Sequence, residues 1–107
     1  MPKYLVAGSY TAAGARGLLA EGGSARRAAT EQLIASAGGT LEGYYFALGG
    51  DDFYVIADVP GGNTAVAAAA LTAAASGAVN TRTIALLTPE EVDAAAKLSL
   101  RYRAPGS

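Results

Sequence analysis

Apolar positions recur along the chain with two different periods, and glycine clusters mark where one gives way to the other. Residues 4–10, Tyr-Leu-Val-Ala-Gly-Ser-Tyr, are apolar or small on both faces, as a strand covered on both sides would be. Residues 11–20, interrupted by Gly14 and Gly17, read as a loop with a turn or two of weak helix, closed by Gly22-Gly23. Ser24 is then the expected N-cap of a helix over 25–37, with Ala25, Ala28, Ala29, Leu33 and Ala37 on one face and Arg27 and Glu31 outside it. Gly38-Gly39 ends that helix.

Two aromatic and β-branched runs follow, 40–48 and 52–59, joined by the turn cluster Gly49-Gly50-Asp51-Asp52, which is the signature of a hairpin. Pro60-Gly61-Gly62-Asn63 breaks the pattern again, with Asn63 as the expected cap. Residues 64–76 are then nearly all Ala, with Val66 and Leu71, up to a stop at Gly77. This helix lacks a polar face, which predicts cover on more than one side. Residues 79–87 alternate as a fourth strand, with Thr81, Thr83, Ala85 and Leu87 opposite Arg82, Ile84 and Leu86. Thr88-Pro89-Glu90-Glu91 combines a capping hydroxyl, Pro at the first helical position and Glu at the third, and starts a last helix running to about residue 98. The tail from Arg101 to Ser107 is basic, aromatic and non-helical, either loose or docked on a partner surface.

The order is βαββαβ with an added helix. It predicts an α+β, ferredoxin-like domain over residues 1–107: a four-stranded antiparallel sheet, helices on one face and an extra C-terminal helix. The strands are too apolar on both sides for the uncovered face to meet water. Another copy of the chain is therefore the expected partner, sheet against sheet or edge to edge, in a homodimer or higher homo-oligomer.

Composition narrows the function. A chain of 107 residues holds one domain, and 51% hydrophobic against 16% charged residues places it far from disordered sequences. Eight basic against nine acidic residues, net charge −1, supply no overall field for nucleic acid or an anionic membrane. Neither is an expected partner. The Ala-rich segment is also too short for a bilayer, which needs roughly 20 apolar residues. Cysteine is absent, removing thiolate chemistry and fitting a reducing cytoplasm, the expected location; the first residues carry no signal-peptide pattern. Histidine is absent too, so a general base would have to be a carboxylate or a retuned Lys or Tyr. No cofactor and no metal site is expected.

Several motifs resemble those of the GYD domain family, small bacterial and archaeal proteins grouped with the dimeric α/β-barrel superfamily. They are Tyr10-Thr11 with Gly14, Gly38-Gly39, Tyr44-Tyr45-Phe46 leading to Gly49, Asp52, Pro60, and the stretch from Ser76-Gly77 through Arg82-Thr83 to Thr88-Pro89-Glu90-Glu91. The likeness covers nearly the whole chain. The naming motif, Gly-any-Tyr-Asp, falls on Gly49, Gly50, Asp51 and Asp52, so Asp51 holds the place of the Tyr. If that phenol serves a ligand in the family, this chain lacks the function or supplies the phenol from Tyr54 or a neighbour. The resemblance implies the ferredoxin-like subunit and self-association but no particular activity.

Candidate chemistry has a plain reading beside each sharper one. Asp51 and Asp52 suit an acid/base pair or a hard-cation site, yet Asp is also a favoured turn residue, and adjacent strand residues point to opposite faces. Ser24 with Arg26 and Arg27 suits an anion at a helix N-terminus, or is a cap with solvated arginines. Tyr10, Tyr44 and Tyr54, reached by Arg82, suit a pocket for a small aromatic or acidic compound, although tyrosines on strands are common core and interface residues. Tyr102 between Arg101 and Arg103 suits subunit docking better than base stacking. The leading reading is a self-associating domain that holds a small apolar or aromatic molecule between subunits. The alternative is a cofactor-independent enzyme of oxygenase or isomerase type, with Asp52 or Asp51 as base and tyrosines as donors.

Overall fold

The computed structural model describes residues 2–107. Among them, four strands, β1 (Lys3–Tyr10), β2 (Thr40–Phe46), β3 (Phe53–Asp58) and β4 (Val79–Leu86), alternate with four helices, α1 (Ala12–Glu21), α2 (Gly23–Ser36), α3 (Gly62–Ala75) and α4 (Pro89–Ala96), in the order β1α1α2β2β3α3β4α4. The strands form one antiparallel sheet in the order β2-β3-β1-β4, as the ferredoxin-like reading requires. Val6 on β1 lies between Val55 on β3 and Thr83 on β4, which fixes the facing of every other position by the two-residue period. One register shift, between Leu41 and Gly43, makes Glu42 an extra residue on β2, where it pairs with Lys3.

Helices α2 and α3 lie on one face of the sheet. The buried cluster there comprises Tyr4, Ile34, Leu41, Val55, Ala57 and Val59, with Val6, Tyr44, Ala65 and Val66 packed against it. Tyr4 keeps its phenol satisfied inside this core by donating to Asn63 Oδ1 at 2.7 Å.

Three local expectations are corrected. Residues 11–20 are not a loop: α1 is a regular helix of ten residues. Thr11 caps it, accepting from the Gly14 amide at 3.2 Å and tying the cap to the start of β4 by donating its own amide to Ala78 O at 3.0 Å. Gly14 acts here as a packing residue, since a Cβ would stand 2.0 Å from Ala78 O. Ser24 is not an N-cap; α1 passes into α2 at Gly22, whose φ of 85° turns the chain, and Ser24 is exposed in the first turn of α2. Asn63 caps nothing either, because α3 starts one residue earlier behind Gly61 and the Asn63 side chain serves Tyr4.

The opposite face of the sheet carries Leu5 between Ile56 and Ile84, Ala7 between Tyr54 and Arg82, and Tyr45 beside Tyr54. Ile84 is 41% exposed and Tyr45 67% exposed. Beyond β4 the chain leaves the body as an arm. Helix α4 has its capping box intact, yet Leu87, Val92, Leu98, Leu100 and Tyr102 are all exposed. The radius of gyration is 16.9 Å, against roughly 13 Å for a compact chain of about 100 residues. No helix of the described residues is long and apolar enough to cross a membrane.

Candidate functional site

An apolar groove of about 270 Å³ opens between α2 and α3 above the sheet. Its origin is the alanine content of the helices. Ala29 on α2 and Ala69, Ala70 and Ala73 on α3 line it, and methyl groups are too short to fill the gap to a floor made by Val6, Val55 and Thr81. None of the α3 residues is buried, and Leu71 on its outer side is 72% exposed.

Polar groups gather at one end of this groove. Tyr10 and Tyr44 share a hydrogen bond between their hydroxyls at 2.8 Å. The ring of Phe53 stacks on both, with centroids 5.1 Å from Tyr10 and 5.8 Å from Tyr44, and Phe46 closes against Tyr44 at 5.1 Å. Burial raises the pKa of both phenols above the usual value, and for Tyr44 the hydroxyl of Tyr10 adds to the rise. Both therefore stay protonated, as donors, across neutral pH. Arg26 on α2 lines the same end; its Nη1 stands 3.5 Å from Glu21 Oε1, while its Nε is buried without a hydrogen-bond partner.

The remaining expected site residues lie elsewhere. Tyr54 and Arg82 are on the open face of the sheet, where both donate to Asp51 Oδ2, Arg82 at 2.6 Å and Tyr54 at 3.2 Å. The hydrogen bond from Arg82 holds the Asp51 carboxyl below its usual range, with Tyr54 assisting. Asp52 points differently: its Oδ2 accepts the Tyr10 amide at 2.9 Å, and its backbone joins the hairpin to β1 through Gly8 O and to Ala47. The four pocket candidates are thus split by the sheet, Tyr10 and Tyr44 on the helix side, Tyr54 and Arg82 on the other. The anion candidates also separate, since Ser24 and Arg27 are exposed and only Arg26 turns into the groove. Among the described residues no group of three or more carboxylates is placed to hold a metal ion.

A family model described as the GYD domain matches residues 4–96. The chain belongs to the GYD domain family. No curated protein and no solved structure gives a match. The GYD match runs from the second residue of β1 to the last of α4, so the groove and the Asp51 cluster both lie inside it. In this GYD domain, Asp51, at the expected place of the family's Tyr, takes the phenol of the nearby Tyr54 and the guanidinium of Arg82 as donors. Sequence reasoning missed Arg26 as a groove residue and Phe53 as the ring between the two tyrosines. Alternation puts Phe53 on the same side of its strand as Val55 and Ala57, but only the register that sets it opposite Gly8 brings its ring between the tyrosines. Arg26 was not findable, because its direction depends on the turn at Gly22.

Proposed function

We propose that this GYD domain is a self-associating binding domain: a second copy covers the open face of the sheet, and the groove on the helix face takes a small apolar or aromatic molecule. One observation carries the reading. The open face of the sheet presents Leu5, Ile56, Ile84, Leu86 and Tyr45 beside the ion pairs of Lys3 and Arg82, and the helices of the chain cover only the other face, incompletely. The accessible surface of the chain is 7186 Å², whereas a compact monomer of this mass exposes about 5,500 Å². That excess of about 1,700 Å² is more than the roughly 800 Å² each partner buries in a standard interface. The arm over residues 89–107, exposed throughout, contributes to it, as do Ile84 and Tyr45 on the sheet.

The groove suits a ligand because it is preformed, lined by small apolar side chains and closed at one end by a few polar groups. It lies within one subunit, so the ligand sits between helices and sheet rather than between subunits. The enzymatic alternative draws no support from the carboxylates. Asp52 serves the Tyr10 amide, and Asp51, held ionised by Arg82, is a weaker base than a free carboxylate.

Titration with octanol, followed by amide resonances, tests the ligand half of the proposal. Resonances of Ala69, Ala70 and Val79 are expected to move together and to saturate, while those of Ile84 and Leu86 stay in place. Equal shifts on both faces, or none, would refute a ligand site in the groove.

A further inference from the structure

The polar end of the groove asks for more than an apolar molecule. We infer that the ligand is an amphipathic acid, an apolar body bearing one carboxylate, with the carboxylate seated against Arg26 and the Tyr10–Tyr44 hydroxyl pair; the inference rests on the groove being the ligand site.

Three observations converge on this end. Arg26 lines the groove with its side chain 34% exposed, and its Nε, shut off from solvent, has no hydrogen-bond partner, so the guanidinium charge is met only by Glu21 at Nη1. Tyr10 and Tyr44 share one hydrogen bond, and the Thr30 hydroxyl lies beside Tyr44, so this end of the groove presents a set of neutral hydroxyls. Both phenols remain protonated at neutral pH, so the pair offers a donor and repels no anion. A partly exposed guanidinium beside neutral hydroxyls fits the charge and the two oxygens of a carboxylate. A neutral alcohol answers the hydroxyls but leaves the guanidinium charge with Glu21 alone.

Nearby acids do not already fill this role. Glu21 stands at Arg26 Nη1, 3.5 Å away, with its own side chain 39% exposed, so water screens it and it leaves Nε untouched. Asp52 is turned to the Tyr10 amide. The remainder of the lining is mostly apolar, with Ala69, Ala73 and Val79 along its length and the neutral hydroxyl residues Thr30, Ser76, Thr81 and Thr83 among them, which suits an aliphatic or aromatic ligand body.

Matched pairs decide the matter: octanoate against octanol, and naphthoate against naphthylmethanol, each titrated below its aggregation concentration. Binding is followed on the groove amides and on the Arg26 Nε–H resonance. The full-length protein is expected to bind each acid roughly tenfold or more tightly than its alcohol, the scale of a charge-assisted hydrogen bond. The Arg26 Nε–H signal is expected to shift with the acids alone. Arg26→Met should remove the preference while leaving the alcohols within about twofold, and Arg27→Met, on the exposed neighbour, should change neither. Equal binding of acid and alcohol by the unsubstituted protein, or the same loss in Arg27→Met, would overturn the carboxylate inference and leave the groove as a site for neutral molecules. Failure of all four probes to bind would overturn the ligand site itself. The unsubstituted protein and its Nε–H signal suffice for the decision should Arg26→Met fold poorly.

Discussion

Tyr44 and Tyr10 each contribute an aromatic body to the packing around Phe53 and a hydroxyl to one shared bond. Tyr44→Phe removes that bond and keeps the ring, so urea denaturation should show a loss of about 1 kcal/mol, and Tyr10→Phe in the same chain should add little more because both act on one contact. A glycine pair separates packing from propensity on α1. Gly14→Ala forces a Cβ to 2.0 Å from Ala78 O and should cost ~2 kcal/mol or more. Gly17→Ala meets nothing within 4 Å and should stabilise by up to ~1 kcal/mol. The Asp51–Arg82 pair sets a pH dependence. Because the folded carboxyl lies below its ordinary value of 3.8, the pair stabilises the fold above that pH, and the contribution is lost as pH falls through the folded value. The difference in thermal midpoint between the parent protein and Arg82→Ala should therefore be widest above pH 3.8 and close in more acid solution. At this scale the sequence was least readable. Gly14 looked like a helix breaker because only a tertiary contact with Ala78 explains it, and Asn63 looked like a cap because its true partner, Tyr4, is distant in the chain.

Elements were far more legible, because hydrophobic period and turn residues act locally. The four strands, α2, α3 and the start of α4 lie close to where alternation and capping place them. The capping box at Thr88 is formed with both reciprocal bonds, at 3.1 Å and 3.0 Å, and the Thr88 amide donating to the Glu91 carboxylate, with the Thr88 hydroxyl assisting, lowers the Glu91 pKa. Helix α4 packs little against the body, so its cap matters more than it would in a buried helix. Thr88→Ala should weaken it by about 1 kcal/mol, seen as roughly fivefold faster amide exchange over residues 91–96 and unchanged exchange in β1 and β3. The candidate site was only half legible for the same reason that the strands were fully so. Alternation states which tyrosines share a face once register is known, but Tyr10, Tyr44 and Tyr54 come from three strands whose mutual register no local pattern fixes.

For the whole molecule, the organising feature is that apolar side chains stand on both faces of the sheet, mixed on the open one with Lys3 and Arg82 and their carboxylates, and the apolar part of this was visible in the strands before the helices were placed. A thin core follows from this. Among the described residues the buried hydrophobic set is limited to Tyr4, Ala7, Ile34, Leu41, Phe53, Val55, Ala57 and Val59, little for a chain of this length to stand on without a partner. A charge set into the open face should prevent association while leaving the helix side intact. Ile84→Glu, at a position that is 41% exposed, is expected to give a folded single chain that still binds octanol. The most direct test needs no substitution: light scattering of the unaltered protein at micromolar concentration. The proposal predicts a mass of at least twice 10.6 kDa, and a mass of 10.6 kDa itself would contradict the covering of the open sheet face by a second copy.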